Sequence, residues 1–349
     1  MTGPSPLAWS CPLPELETGT IEIGHGGGGL LTRRLIDGVF RPAFAQSEDD
    51  LRHDGAVVAI AGGHFAFTTD TYVVRPLFFP GGDIGTLAVC GTVNDLAMCG
   101  AEPLCLGVGL VIEEGFALAD LRRIAQSMAA TAASCGVRIV TGDTKVVERG
   151  RGDGLYVNTS GIGRIIAPAP VAPRRLQAGD AIVLSGDVGR HGIAVLAARE
   201  GLEFETAPES DCAPLAAPVR ALIAAGIDLH CLRDLTRGGL ATALIEIAQA
   251  APATLRVDEA AIPVTEPVRG ACEILGLDPL YVANEGRFVA FVPAAAAAPA
   301  VAVLHRFGAQ ATVIGRVAEI GGAGEVHLET LGGTRALDLL TGEQLPRIC

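Results

Sequence analysis

No segment of this chain carries the Walker A spacing. Gly142-Asp143-Thr144-Lys145 has the composition of a phosphate loop but not its spacing, and Gly186 to Gly192 reads as a strand-to-helix turn. The P-loop route to a bound phosphate is thereby excluded. CxxC pairs are also missing, although the chain holds nine cysteines. An odd count without close pairs argues against a disulfide framework and against a structural zinc site. No Lys/Arg cluster stands out and the net charge is −13, which excludes a nucleic-acid backbone as the main partner. No apolar run reaches the ~18 residues of a spanning helix, despite a mean hydropathy of +0.41. Met1 to Leu16 has no basic head followed by an apolar core, so no secretory leader and no membrane attachment are expected. A reducing cytoplasm is the natural setting for free thiols.

What is present is enough chain for two cores, at 349 residues. Met1 to Thr20 is proline-rich and reads as a loose leader. A short strand is expected over Thr20 to Ile23, then the loop His25-Gly26-Gly27-Gly28-Gly29 and a helix from Leu30 to Phe40. Strands over Val57–Ile60 and His64–Thr69, a helix over Ile84–Met98, a strand over Leu104–Val111, a helix over Leu118–Cys135 and strands over Arg138–Thr141 and Leu155–Ile162 make a first αβ unit. Ala167 to Pro173, with three prolines, is the expected linker. A second αβ unit follows from Asp180, with a helix expected from Thr236 to Ala250. The organisation expected is a mixed α/β (α+β) chain: an arm over 1–42, a first domain over 43–166, a second over 174–330, and a flexible tail over 331–349.

Five aspartates stand at the ends of expected elements: Asp70, Asp83, Asp95, Asp143 and Asp234. Asp83 and Asp234 also read as helix N-caps, and Asp70 and Asp143 as turn residues. Asp95 is different. A carboxylate near a helix C-terminus opposes the macrodipole at a cost on the order of 0.3–1 kcal/mol unless a cation sits nearby. Together the five suit one or two Mg²⁺ ions carrying a triphosphate, with Lys145 beside one of them. The loop His25 to Gly29 precedes a helix, so its N–H groups offer an anion site. The sequence closes on Pro346-Arg347-Ile348-Cys349. Pro346 favours an extended arm, and a thiol on such an arm can be loaded, processed and unloaded; the plainer reading is one cysteine among nine.

These residues lie in motifs that resemble the HypE family of hydrogenase expression/formation proteins, from His25 to Cys349. The matching stretches are HGGGG at 25–29, RPAF at 41–44, TTDTYVVRPLFFPGGDIGTLAVCGTVNDLAMCGAEP at 68–103, GDTKVVERG at 142–150, NTSGIG at 158–163, RDLTRGGL at 233–240, NEG at 284–286 and PRIC at 346–349. One departure is the run of four glycines at 26–29, where the family often has HGSGG.

The resemblance implies a two-domain PurM-like fold that binds ATP without a P-loop and pairs as a homodimer. It implies that Cys349 accepts a carbamoyl group from the carbamoyltransferase HypF, that ATP-dependent dehydration turns this group into a thiocyanate, and that the cyano group passes to iron on the HypC–HypD complex for the centre of [NiFe] hydrogenases. By motif, Asp70, Asp83, Asp95, Asp143 and Asp234 are expected to bind Mg²⁺–ATP, joined by His25 and Gly26 to Gly29. Lys145 is expected to meet phosphate or the developing oxyanion. Glu285 is expected to be the base, since Gly286 lets the backbone approach a ligand closely. Asn94 and Thr236 are expected as supporting polar groups. Two alternatives stay open on sequence: another PurM-like enzyme, of the selenophosphate or aminoimidazole ribonucleotide synthetase type, and a non-enzymatic thiol carrier.

Overall fold

The computed structural model describes residues 21, 23–26, 29–44, 53–202, 208–308, 310–340, 345 and 348. Two sheets organise them. The first is built from β1 (Ala56–Ile60), β2 (Gly63–Tyr72), β5 (Ala101–Glu113), β6 (Arg138–Val147) and β7 (Leu155–Ile165), in the order β1-β2-β7-β5-β6. Between β2 and β5 come a small hairpin, β3 (Phe78–Phe79) with β4 (Gly82–Asp83), and the helix α3 (Ile84–Met98). Shorter helices α1 (Leu30–Leu35) and α2 (Arg41–Phe44) precede the sheet, joined by a π turn over Ile36–Phe40. Of the strand expected over Thr20–Ile23, Thr20 and Glu22 lie outside the described residues, and Ile23 opens a 3₁₀ turn, Ile23–Gly26.

Helix α3 is the axis of the molecule. It is apolar around its whole circumference, as a helix buried on every side must be, and all but two of its side chains are buried. Its outer flank is covered by α4 (Leu118–Ser134), its inner flank by β2 and β7, and its far end by the second domain. Small residues permit this crowding. A Cβ on Gly85 would lie 2.5 Å from Ser127 Oγ, and one on Gly91 would lie 2.0 Å from the Tyr72 hydroxyl.

The second sheet runs β14-β13-β10-β12-β8-β11-β9. Its strands are β8 (Ala181–Leu184), β9 (Cys231–Asp234), β10 (Ala253–Asp258), β11 (Phe288–Val292), β12 (Thr312–Ile320), β13 (Glu325–Thr330) and β14 (Gly333–Ala336). Every residue of β8 and β11 is buried, which marks strands covered on both faces. Helix α7 (Gly239–Ala250) packs one face with Leu255, Phe291 and Val317; α6 (Ala216–Ala224) and α9 (Ala297–Leu304) pack the other with Leu232 and Phe288. Helices α5 (Arg190–Glu200) and α8 (Glu266–Leu275) complete the unit.

Two boundaries differ from expectation. The tail expected from 331 starts instead with β14, paired antiparallel to β13, and Leu30 N–H bonds the Leu340 carbonyl at 3.2 Å. The strand expected to stop at Thr141 runs on to Val147, because β6 follows β5 in parallel register from Cys105–Arg138 to Glu113–Val147.

Candidate functional site

An acidic centre forms where the C-terminal end of α3 meets β2 and the end of β9. Asp95 lies in the last turn of α3, Asp234 ends β9 and Asp54 stands two residues before β1, and one carboxylate oxygen from each lies within 4.8 Å of the others. Thr68 donates to Asp95 at 2.8 Å, Arg233 Nε sits 2.7 Å from Asp54, and Thr236 donates to Asp234 at 3.4 Å. Burial pushes all three carboxyls up. For Asp95 the fields of Asp234, Asp70 and Asp54 push further. For Asp234 Arg233 partly offsets Asp54. Asp54 is raised to about 6, with Arg233 opposing.

The donor chemistry fits a hard divalent cation. Three carboxylates in one place, one of them with a buried oxygen, Asp54 Oδ2, that has no hydrogen-bond partner, form an all-oxygen set of the kind Mg²⁺ takes. Asp95 at a helix C-terminus adds the macrodipole to the negative field.

Glu285 stands beside this centre. It is buried, and its Oε1 has no hydrogen-bond partner. Burial first, then Asp234, Asp70 and Asp211, raise its carboxyl well above the usual range, with Arg237 pulling the other way. Its backbone is pinned: Asp211 accepts from Glu285 N–H at 3.4 Å and Gly286 N–H at 3.1 Å. A Cβ on Gly286 would lie 1.9 Å from the Asp211 carbonyl, so the close approach expected of this glycine is real but is made to the chain's own backbone.

Arg237 connects the centre to the glycine segment. It donates to the Gly26 carbonyl at 2.9 Å and reaches Asp70 at 3.5 Å. His25 is buried, and Gly29 packs so tightly that a Cβ would meet the Leu340 carbonyl at 2.5 Å. Gly27, Gly28 and Cys349 lie outside the described residues. Ile348, the neighbour of Cys349 in sequence, is buried in the same apolar cluster as Tyr72, Phe79 and Ala283.

Several expected site residues stand elsewhere in the chain. Asp83 caps α3: its Oδ1 accepts from Gly85 N–H at 2.8 Å, Thr86 N–H at 2.9 Å and Ser127 Oγ at 2.6 Å. Twelve residues of helix, about 18 Å at 1.5 Å each, separate it from Asp95, so the two cannot share an ion. Asp143 and Lys145 are inside β6, in register with Gly109 and Val111. That register puts them on the open face of the sheet with Thr71 and Asn158, whereas Asp70, Thr68 and Tyr72 alternate onto the α3 face. Asn94 spends its amide on structure: it donates to the carbonyls of Ala213 and Glu285 and accepts from Leu215 N–H at 2.7 Å. It holds the segment carrying Glu285 rather than offering a free group. Asp234 is no N-cap; α7 starts at Gly239, capped by Gly238. Asp54, Asp211 and Arg237 were missed in the sequence. The signal for Asp54 is its place two residues before an apolar strand, with Asp234 at the end of another.

A PurM-type architecture is what these two domains and the acidic centre between them define. The chain matches the AIR synthase related protein N-terminal domain over residues 52–165 and the AIR synthase related protein C-terminal domain over 177–327. Over 335 residues it is 52% identical to the carbamoyl dehydratase HypE of Rhodobacter capsulatus, covering 94% of this chain and 98% of that one. A HypE solved in complex with ATP superposes with a TM-score of 0.80 at 46% identity, over 95% of this chain and all of the other. A HypE from a HypE–HypF complex gives 0.82 at 43%, over 88% and 99%. The chain belongs to the HypE family of carbamoyl dehydratases.

Proposed function

We propose that this protein carries a carbamoyl group on the sulfur of Cys349 and, at the expense of ATP, dehydrates it to a thiocyanate that supplies cyanide for [NiFe] hydrogenase iron. The observation that carries the reading is the buried, unpartnered Glu285 carboxyl beside the three-aspartate centre, with Ile348 docked in the adjoining apolar cluster. Dehydration removes the carbamoyl oxygen as phosphate and both nitrogen protons. A base for those protons must be shielded from water and strongly basic when ionised, and burial among Asp234, Asp70 and Asp211 gives Glu285 that character.

Asp54, Asp95 and Asp234 are the residues that fit Mg²⁺, which when bound neutralises phosphate charge. Arg237 orients Asp70 and the glycine segment, whose N–H groups suit an anion. Thr68 and Thr236 aim the carboxylates they bond, and Asn94 fixes the backbone from which Glu285 projects.

Asp143 and Lys145 act, on this reading, in a second copy's site. They lie on a sheet face that exposes Val58, Ile60, Phe67, Val111 and Ile162, an apolar surface that a partner of the same kind would cover. We therefore assign a homodimer formed across this face. HypF is the carbamoyl donor and HypC–HypD the cyanide acceptor. The location is the cytoplasm, in keeping with described cysteines that form no disulfide among themselves; no described helix is long and apolar enough to cross a membrane.

Intact-mass analysis with carbamoyl phosphate, HypF and ATP tests the function. The expected record is a gain of one carbamoyl group followed by loss of one water, both absent in Cys349→Ala. Nucleotide binding with no mass change would identify a carrier instead.

A further inference from the structure

Neither the acidic centre nor Glu285 explains His191. This imidazole is fully buried at the first turn of α5 and has a partner on each nitrogen: Nδ1 lies 2.8 Å from Ser210 Oγ and Nε2 lies 3.0 Å from the Ile348 carbonyl. A carbonyl can only accept, so Nε2 carries the proton and Nδ1 receives one from the serine hydroxyl. Ser210 Oγ in turn accepts from Cys212 N–H at 3.0 Å. The donations run in one direction, from Cys212 through Ser210 and His191 to the main chain of Ile348. Burial depresses the imidazole's proton affinity, which keeps the ring neutral and this direction fixed.

The surroundings leave the ring little freedom. Phe79 packs edge-on against it, with centroids 5.4 Å apart and planes at 89°. Ser210 is held by its own N–H on the Pro80 carbonyl at 2.8 Å. The next residue of α5 also meets the arm. A Cβ on Gly192 would lie 3.2 Å from Leu345 Cδ1 and 2.5 Å from Val282 Cγ1, while Gly192 N–H bonds the Ala283 carbonyl at 3.1 Å. One helical turn thus touches the C-terminal arm at Leu345 and Ile348, and touches the strand of chain that leads to Glu285.

We propose that His191 is a positioning residue that seats the C-terminal arm for dehydration, by donating from Nε2 to the main-chain carbonyl of Ile348. The proposal rests on the dehydratase reading for its purpose but not for its geometry. His191 recognises backbone, and the apolar cluster around Ile348 reads its side chain. Ser210 sets the tautomer. The arm leaves for its partners by breaking one neutral hydrogen bond and the apolar contacts of Leu345 and Ile348, which makes the seat reversible.

The full-length protein tests this through the alkylation rate of Cys349 by iodoacetamide, resolved from the other cysteines by mass analysis of the C-terminal peptide. His191→Leu is expected to speed alkylation by about fivefold, the factor for one neutral hydrogen bond, and to slow single-turnover dehydration by a similar factor. HypF-dependent carbamoylation should stay within about twofold. His191→Gln, which keeps a donor, should recover most of the difference. Unchanged alkylation and dehydration in a His191→Leu protein that melts like wild type would overturn the proposal. Should that variant not fold, Ser210→Ala gives the same readings, and the same invariance would overturn it. Alkylation needs neither ATP nor a carbamoyl group, so a wild-type protein that fails to dehydrate would remove the dehydratase reading and leave the seat to be judged by alkylation alone.

Discussion

Glu285 and Asp95 were singled out in the sequence for opposite reasons, one for a flexible neighbour and the other for a misplaced charge. Glu285 proves buried and Asp95 half-buried, and in both desolvation first and neighbouring carboxylates second make the proton hard to remove. Replacing Glu285 by Gln keeps the shape and removes the base proposed above. Dehydration by carbamoylated protein should fall by about 10²–10⁴-fold while carbamoylation by HypF is retained, as read by intact mass. The aspartates make a second, thermodynamic prediction. A carboxyl raised from 3.8 to about 6, as at Asp54, binds its proton more tightly folded than unfolded. Its contribution to stability is therefore full below about pH 4 and is lost as pH rises through about 6. Without metal, the melting temperature should drop across that window. Mg²⁺ should raise it more at pH 7.5 than at pH 5, and Asp234→Asn should abolish the metal effect. At this scale residue type alone singled out Asp95 and Asp234, and the fold brings their carboxylates together. Asp83 was misjudged because an N-cap and a metal ligand look identical until the distance to Asp95 is known. Asp54 was passed over because nothing in a linear pattern brings residue 54 to residue 234.

Elements show the same division between local and long-range information. Helix α3 was legible to its last residue: Asp83 begins it, and Gly100, in a left-handed conformation with φ +71°, ends it. Strand β6 was cut short because Gly142-Asp143 looks like a turn. Only pairing with β5 keeps it extended, and that pairing is a fact about residues more than thirty positions away. Strands β9 and β10 and helix α8 gave no separate sequence expectation, and their place is set by the sheet they join. Packing along α3 yields a prediction of its own. Gly91→Ala would drive a methyl into the Tyr72 hydroxyl at 2.0 Å, an overpacking worth about 1–3 kcal/mol. Its denaturant midpoint should fall without a change in slope. Asn94→Ala would strand Leu215 N–H and two carbonyls, and should lower both stability and dehydration, since Glu285 hangs from the same bonds.

At the scale of the whole molecule, the proposed second copy would add what one chain lacks. Asp143 and Lys145 lie on the opposite side of a sheet from the acidic centre, and the apolar face around them is open. Phe67→Glu should shift the protein toward monomer in sedimentation analysis and suppress dehydration together. Mixing inactive Lys145→Ala and Glu285→Gln proteins gives a sharper test. If each site draws Lys145 from one copy and Glu285 from the other, a 1:1 exchange should restore about a quarter of wild-type activity; no recovery would confine both residues to one chain. Prolines mark 167–173, the stretch between β7 and β8, whereas nothing in the sequence marks the pairing of Gly333–Ala336 with the second sheet, because β14 is short and pairs with β13 alone.

Leu340, fastened to Leu30, is the last described backbone anchor before Leu345 and Ile348. Nine residues, 341 to 349, follow that anchor, and fully extended a chain of that length reaches at most about 30 Å. Any enzyme that charges or discharges the sulfur has to bring its own cleft within that radius, on the flank where the glycine segment lies. Donor and acceptor then contend for the same ground, and traffic through the thiol proceeds by turns, with no requirement for a signal to keep the two visitors apart.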